Sequence, residues 1–239
     1  MARGAGRKVG GADVCRAGWA LAVLDADAAP GSPASRPTLE LVEHFEEVVE
    51  RVRAGELAAV GVDIPIGLAD AQRRRCDNEA RQLVGARRSS VFSAPIRPLL
   101  GVTSYEEANE RNRAIVDRGI SKQTYHLFPR IAEVDRVITP ELQGWIREAH
   151  PEVVFARLKG TTLENPKRRT AGKQERLAIL RAHVGDVSDL RRPSGVAGDD
   201  ALDAVACALA ARALVLGQAI VLGDGAKDVR GLAMEMVTP

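Results

Sequence analysis

The sequence predicts an α/β fold: a mixed five-stranded sheet with flanking helices and a mostly helical insertion after the fourth strand. The first quarter of the 239-residue chain follows the order strand, strand, strand, helix, strand. The run at 57–68 starts as an unbroken apolar segment and carries one acid, Asp63, as expected for a central strand covered on both faces. A long helix begins near Gly198 and repeats apolar residues at a period of about 3.6.

A hairpin opens the predicted fold. Gly10 and Gly11 lie in its first strand, just before Asp13, and glycines inside a strand indicate close approach of another backbone or a bulge. The elements predicted for this region are strands at 9–14, 19–24 and 39–42, then a helix at 43–55.

The strand that holds Asp63 ends where Pro65 removes a backbone donor and Gly67 allows the chain to turn. An unpartnered carboxylate is costly to bury, so we expect Asp63 at the strand end, facing a cleft. The alternative is that Asp63 only closes the turn before Pro65.

Residues 69–149 are predicted to form the helical insertion, on one side of the sheet, where it could act as a lid or bind substrate. Ser104 with Glu107 forms a capping box, and Thr139 before Pro140 indicates another helix start. The predicted helices span 70–84, 104–119, 122–137 and 139–149.

Beyond the insertion we predict a strand at 150–156, a basic loop at 161–173, a helix at 174–184 and a short last strand at 218–222. Residues 9–222 form one predicted domain, and 1–8 and 223–239 are expected to be flexible ends.

Composition excludes several classes of protein. The formal net charge is only +2 and aromatic residues make up 3%, so neither a strongly basic surface nor binding mainly by base stacking is indicated. The widely separated Cys15, Cys76 and Cys207 suit a reducing cytoplasm and argue against zinc or disulfides. No signal peptide or membrane-spanning run is visible, so we expect a cytoplasmic protein without a membrane partner; a homodimer stays open.

Acidic residues stand at the ends of three predicted elements. Asp13 ends the first strand, Asp63 ends the central strand, and Asp199, Asp200 and Asp203 open the last long helix. Carboxylates gathered at one sheet edge repel each other unless cations lie among them, and they suit Mg²⁺ or Mn²⁺. Two such ions could activate water for phosphoryl chemistry.

The helix acids also have an ordinary structural interpretation. Aspartates in a first helical turn cap the helix and complement its dipole, which fits Asp199 and Asp200 better than Asp203, a full turn further in. On a helical wheel, Asp199 and Asp203 flank the apolar stripe, whereas Asp200 points further round.

Six motifs cover nearly the whole chain and lie at 11–19, 62–68, 89–95, 121–123, 150–152 and 199–204. In this order they resemble an uncharacterised bacterial and archaeal family of predicted RNase H-like nucleases. One departure is Ala12-Asp13-Val14-Cys15, where the family usually has Val-Asp-Gly-Cys or a similar run.

The resemblance implies an RNase H-like core: three antiparallel strands, a helix, then strands parallel to the first with flanking helices. It also implies metal-binding acids on the first strand, the fourth strand and the last helix, which correspond to Asp13, Asp63 and Asp203. For the second acid of the last helix, beside Asp203, the resemblance favours Asp200, whereas the helical wheel favours Asp199.

Further candidates lie outside these acids. Glu152 is a candidate catalytic residue, as a ligand or as a proton shuttle assisted by His150, and its alternative is an exposed strand edge. Arg16, Arg87, Arg88 and Lys122 are candidate phosphate contacts, although charged surface residues are common in such a chain.

Together, these features predict a nuclease that binds Mg²⁺ or Mn²⁺ at Asp13, Asp63 and Asp203 and acts on a nucleic acid of unspecified type. One alternative is a non-catalytic nucleic-acid-binding or adaptor protein on the same scaffold. Another is an actin-like nucleotide phosphotransferase, for which the glycine-rich turns are a poor match.

Overall fold

A five-stranded mixed sheet forms the centre of the computed structural model, which describes residues 6–239. The strand order is β3-β2-β1-β4-β5; β1, β2 and β3 are antiparallel neighbours, and β4 and β5 run parallel to β1. The strands are β1 (Lys8–Cys15), β2 (Gly18–Asp25), β3 (Thr38–Val42), β4 (Ala59–Val62) and β5 (Ile146–Glu148).

Helices cover both faces of this sheet. On one face α1 packs with α5 over the apolar side chains of β2 and β4; on the other, α8 lies across β1 and β4 with α6 and α7 outside it. The mixed-sheet α/β fold predicted from the sequence is therefore confirmed. The helices are α1 (Phe45–Arg53), α2 (Arg75–Leu83), α3 (Tyr105–Val116), α4 (Lys122–His126), α5 (Phe128–Val137), α6 (Pro151–Lys159), α7 (Thr170–Val184) and α8 (Gly198–Val215).

Gly11 and Gly61 allow α8 to lie directly on the sheet. The two glycines are paired across the parallel strands β1 and β4. A Cβ atom at Gly11 would lie 2.1 Å from the Ala204 carbonyl oxygen, and one at Gly61 would lie 2.3 Å from the Cys207 carbonyl oxygen. The close backbone approach predicted from the glycines before Asp13 is thus confirmed at Gly11, and its partner is α8.

Residues 150–156 form the start of helix α6, and the predicted strand there is wrong. His150 has extended backbone and Pro151 occupies the first helical turn, where a missing N–H costs nothing. A short apolar run does not distinguish a buried strand from a buried helix.

The predicted helix at 139–149 is also wrong. Thr139 accepts a hydrogen bond from the Leu142 N–H, but only one 3₁₀ turn follows. Ile146 then pairs with Val60 of β4, so β5 lies inside the range assigned to the helical insertion. Parallel pairing on a buried sheet outweighs the local capping signal.

Helix α2 begins at Arg75, five residues later than predicted from Asp70. The Arg74 guanidinium holds the preceding segment in place: it donates to the carbonyls of Ile66 and Gly67 and to the carboxylate of Glu148. These bonds keep the chain after β4 extended, because a helical path would break them.

Two other predicted helices differ in their limits. The helix at 122–137 is interrupted at Leu127, since Pro129 lacks the donor that a continuous helix needs there. Helix α7 starts at Thr170, so the predicted loop at 161–173 is shorter than expected. Helix α3 begins as predicted, where Ser104 accepts from the Glu107 N–H, but it ends at Val116, three residues before the predicted limit.

The C-terminal segment is packed and is not the flexible end that the sequence predicted. Strands β6 (Ile220–Leu222) and β7 (Met236–Thr238) form a separate two-stranded sheet, and β7 is buried. Asp228 accepts from the Leu68 N–H and pairs with Arg97, which ties this segment to the loop after β4. Of the predicted N-terminal flexible end, residues 1–5 lie outside the described residues.

None of the helices described over residues 6–239 combines the length and the apolar character needed to cross a membrane.

Replacing Gly11 or Gly61 with alanine is expected to lower the free energy of unfolding by about 2–3 kcal/mol, because the added methyl group meets the backbone of α8 and displaces it. Urea unfolding measures the loss. Gly101→Ala is the matched control, since a Cβ there has no neighbour within 4 Å. Equal stability of all three variants would contradict the close packing of α8 on the sheet.

Candidate functional site

Asp13 and Asp63 lie side by side at the ends of two parallel strands. Each follows one of the paired glycines by two residues, so strand alternation places both aspartates on the face that α8 covers. The Asp63 N–H donates to the Ala12 carbonyl at 2.9 Å and continues the β1–β4 pairing by one step. The register that lets α8 approach therefore also brings the two carboxylates together.

Helix α8 adds Asp203, directly before the Ala204 whose carbonyl contacts Gly11. Lys167, from the loop before α7, places its Nζ 2.7 Å from Oδ2 of Asp203. We call Asp13, Asp63 and Asp203 the carboxylate cluster. In the described part of the chain, Lys167 is the one cationic side chain in ion-pair contact with it.

Burial makes ionisation of these acids unfavourable. It raises the pKa of Asp13 well above its ordinary value, and the charges of Asp63 and Asp203 raise it further. Burial also raises the pKa of Asp63, against the opposing effect of His150 and Lys167. The pKa of Asp203 rises to about 6, because burial outweighs the attraction of the Lys167 ammonium.

A cavity of about 370 Å³ opens beside the cluster. We call it the carboxylate cavity. Asp63, Asp203, Lys167 and His150 line it, together with Glu152. The Nδ1 atom of His150 is buried and has no hydrogen-bond partner within residues 6–239, so one ring nitrogen beside Asp63 remains available.

The donor chemistry fits a hard divalent cation, although the side chains do not form a closed site as they stand. Two buried carboxylates and one half-buried carboxylate, all with raised pKa values, and one unpartnered imidazole nitrogen are groups that a bound cation would stabilise. Among residues 6–239, however, no three histidine, cysteine or acidic side chains are already arranged to hold a metal ion.

Asp200 caps the helix. Its Oδ2 accepts from the Ala197 N–H at 3.1 Å, so its carboxylate is engaged at the N-terminus of α8. The charge of Asp200 still acts on Asp13, more weakly than those of Asp63 and Asp203. Asp203 is therefore the acid of α8 that belongs to the cluster.

Glu152 is held between two arginines. Its Oε1 accepts from Arg87 at 2.8 Å and its Oε2 accepts from Arg176 at 2.5 Å; Arg176 is almost fully buried. Glu152 lies in the first turn of α6 and not at an exposed strand edge. These bonds give it a structural role as the link between α6, α7 and the segment after α2.

The four candidate phosphate contacts are scattered. Arg87 lines the carboxylate cavity but is engaged with Glu152. Arg16 lies exposed in the β1–β2 turn, Arg88 is exposed, and Lys122 lies 5.7 Å from the centre of the Tyr105 ring. Of these four, the described cavity lining contains Arg87 alone.

Lys167 is the residue of this site that the sequence analysis missed. It stands among Lys and Arg residues of a polar loop, and no spacing separates it from Arg168 or Arg169. Lys167 is identified only by its contact with Asp203 of α8 in the folded structure.

The family described as "Protein of unknown function (DUF429)" matches residues 11–228 of the chain. No curated protein and no solved structure matches this chain.

The cluster should make the metal-free protein more stable as the pH falls from about 6 towards 4. Raised carboxyl pKa values mean that the folded state binds more protons than the unfolded state in this range, so the free energy of unfolding decreases as the pH rises. Asp13→Asn removes one buried charge and should increase the free energy of unfolding at neutral pH, in chelator, by on the order of 1 kcal/mol.

Urea unfolding across this pH range tests both statements. Asp189→Asn, at a strongly exposed side chain, is the control and should have little effect. A less stable Asp13→Asn protein would contradict the view that the ionised cluster opposes folding.

Glu152→Gln should lower the free energy of unfolding by about 3 kcal/mol, because it leaves two arginines without their buried carboxylate. Glu164→Gln, which removes an exposed partner of Lys159, is the matched control with a small effect. Thermal unfolding measures both. A Glu152→Gln protein of normal stability that has lost activity would instead assign Glu152 to the chemistry.

Proposed function

We propose that this chain, which belongs to the DUF429 family, is a divalent-metal-dependent nuclease that hydrolyses phosphodiester bonds. The observation that carries the proposal is the carboxylate cluster. Asp13 and Asp203 are buried and Asp63 is half-buried, all three gathered beside an open cavity, where burial and the neighbouring negative charges oppose the ionisation of Asp13. Such an arrangement is costly, and groups of this kind concentrate at functional sites.

The strand order supports an RNase H-like core for this protein. Three antiparallel strands, a helix and then two strands parallel to the first are the arrangement that the sequence resemblance implies. In that core the metal-binding acids come from the first strand, the fourth strand and the last helix; here Asp13 lies in β1, Asp63 directly follows β4, and Asp203 lies in α8.

Asp13, Asp63 and Asp203 would hold Mg²⁺ or Mn²⁺, with the free nitrogen of His150 next to them. When bound, such an ion supplies neutralisation of phosphate charge and a more acidic water molecule. Hard divalent ions prefer carboxylate oxygens, which this cluster provides.

The surrounding side chains have separate tasks in this proposal. Lys167 offers an ammonium group that can move from Asp203 to a phosphate oxygen, since its side chain is 44% exposed while that of Asp203 is 5% exposed. The Glu152 ion pairs keep α6 and α7 in place, and His150 is the residue directly before α6. The cavity walls position the phosphodiester against the cluster.

Purified protein should cut at least one member of a panel of labelled DNA and RNA, single-stranded, duplex, hybrid and branched, in Mg²⁺ or Mn²⁺ but not in EDTA. Asp63→Asn should reduce the rate by about 100-fold or more, because it removes a carboxylate ligand of the cation on which the proposed reaction depends. Gel electrophoresis of the products measures the cleavage.

Asp189→Asn should cut like the wild type. Isothermal titration of Mn²⁺ into the wild type and Asp63→Asn measures metal binding independently of turnover. Cleavage that persists in EDTA or in Asp63→Asn would refute the proposal. A folded wild type with neither cleavage nor Mn²⁺ binding would favour the adaptor function.

A further inference from the structure

We propose that a second groove beside the carboxylate cavity binds a phosphate of a single nucleic-acid strand; this inference rests on the proposed nuclease function. We call it the arginine groove, and Arg73 and Arg118 lie in its wall. Its volume is about 290 Å³. The two cavities share Ser89, Phe92 and Gln123, so a strand leaving the carboxylate cluster can continue into this groove.

The arginine groove has positive charge without compensation. Its described lining contains Arg73 and Arg118 but no acidic residue. Both arginines are exposed, and neither forms an ion pair with a carboxylate in residues 6–239, unlike Arg74 and Arg75 beside them. Two guanidinium groups facing one polar groove are suited to a phosphate.

Arg81 adds a buried donor behind the same wall. Its Nε donates to the Val91 carbonyl and its Nη2 donates to the hydroxyl of Ser93, a residue that lines the groove. Its Nη1 is buried and has no hydrogen-bond partner in the described residues. Burial lowers the pKa of Arg81; the charge of Asp77 opposes this effect, and the charges of Arg73 and Arg118 add to it. An anion in the groove would offset this accumulation of positive charge.

Phe92 indicates which phosphate compound the groove takes. This half-buried ring stands where the two cavities meet, next to hydroxyl and amide groups of Ser89 and Gln123. A ring beside a phosphate site gives a nucleobase a stacking surface, which requires an unpaired base. The ligand is therefore a flanking nucleotide of a single strand, and not free phosphate or a duplex.

The test is fluorescence anisotropy with labelled single strands of DNA and RNA of about twelve nucleotides, bound to the full chain in EDTA over a series of salt concentrations. The double variant Arg73→Ala, Arg118→Ala should bind about tenfold more weakly. The slope of the logarithm of its binding constant against the logarithm of the salt concentration should be shallower by about one. Arg73→Lys, Arg118→Lys should restore most of the slope.

The control variant is Arg53→Ala, Arg136→Ala. These two exposed arginines lie on α1 and α5 and line neither of the two cavities, so the variant should change neither the affinity nor its salt dependence. Circular dichroism checks that each variant is folded. Equal affinity and slope for wild type and the groove variant would overturn the proposal, as would a wild type that binds no single strand. Full displacement of the probe by inorganic phosphate at low millimolar concentration would assign the groove to free phosphate instead.

Cleavage assays on the same proteins separate the two proposals. Weaker strand binding by the groove variant, with no cleavage by the wild type in Mg²⁺ or Mn²⁺, would support the groove and refute the nuclease. Cleavage by the wild type, with unchanged strand binding by the groove variant, would support the nuclease and refute the groove.

Discussion

The contact of α8 with the glycine pair Gly11 and Gly61 is the constraint on which the site depends. A side chain at either position would hold the helix backbone off the sheet, and Asp203 would move away with it. The same strand alternation that turns these glycines towards α8 turns Asp13 and Asp63 towards it two residues later. One strand register therefore determines both the packing of α8 and the position of the aspartates. A shift of one residue in this register would turn the glycines and the aspartates away from α8.

Ion pairs around the cluster hold the loops that the sheet alone cannot position. Arg74 joins Glu148 of β5 to the carbonyls after β4, and Arg176 with Arg87 joins α6 and α7 to the segment after α2 through Glu152. Each buried charge in these networks has an opposite partner. The carboxylate cluster differs, since three acids share one lysine. The acids with a structural role, Glu148 and Glu152, are thus paired with arginines, whereas the candidate functional acids outnumber the cations that pair with them.

The sequence carried most of the information about the sheet and the acids. Gly-x-Asp occurs twice, at 11–13 in β1 and at 61–63 across the end of β4, and the period of the apolar stripe indicates α8. The elements that position Asp13, Asp63 and Asp203 were therefore predictable. The site assignment itself stays a prediction.

Errors arose where local signals were weak or tertiary contacts decided. Residues 150–156 are too short and apolar to distinguish helix from strand, and β5 forms only because β4 offers an unpaired edge. The role of Lys167 depends on a contact with Asp203, 36 positions away, and the buried tail depends on the ion pair of Asp228 with Arg97. No single-sequence pattern encodes such distant partners.

The place of α8 in the chain has a consequence for synthesis. β1 and β4 leave the ribosome early, whereas α8 follows more than a hundred residues after β4. Until then the glycine pair has no covering helix, and Asp13 and Asp63 stay hydrated and free to ionise. The part of the repulsion that Asp203 contributes therefore arises only when α8 packs on the sheet. We expect a nascent chain whose sheet face stays open until α8 has emerged.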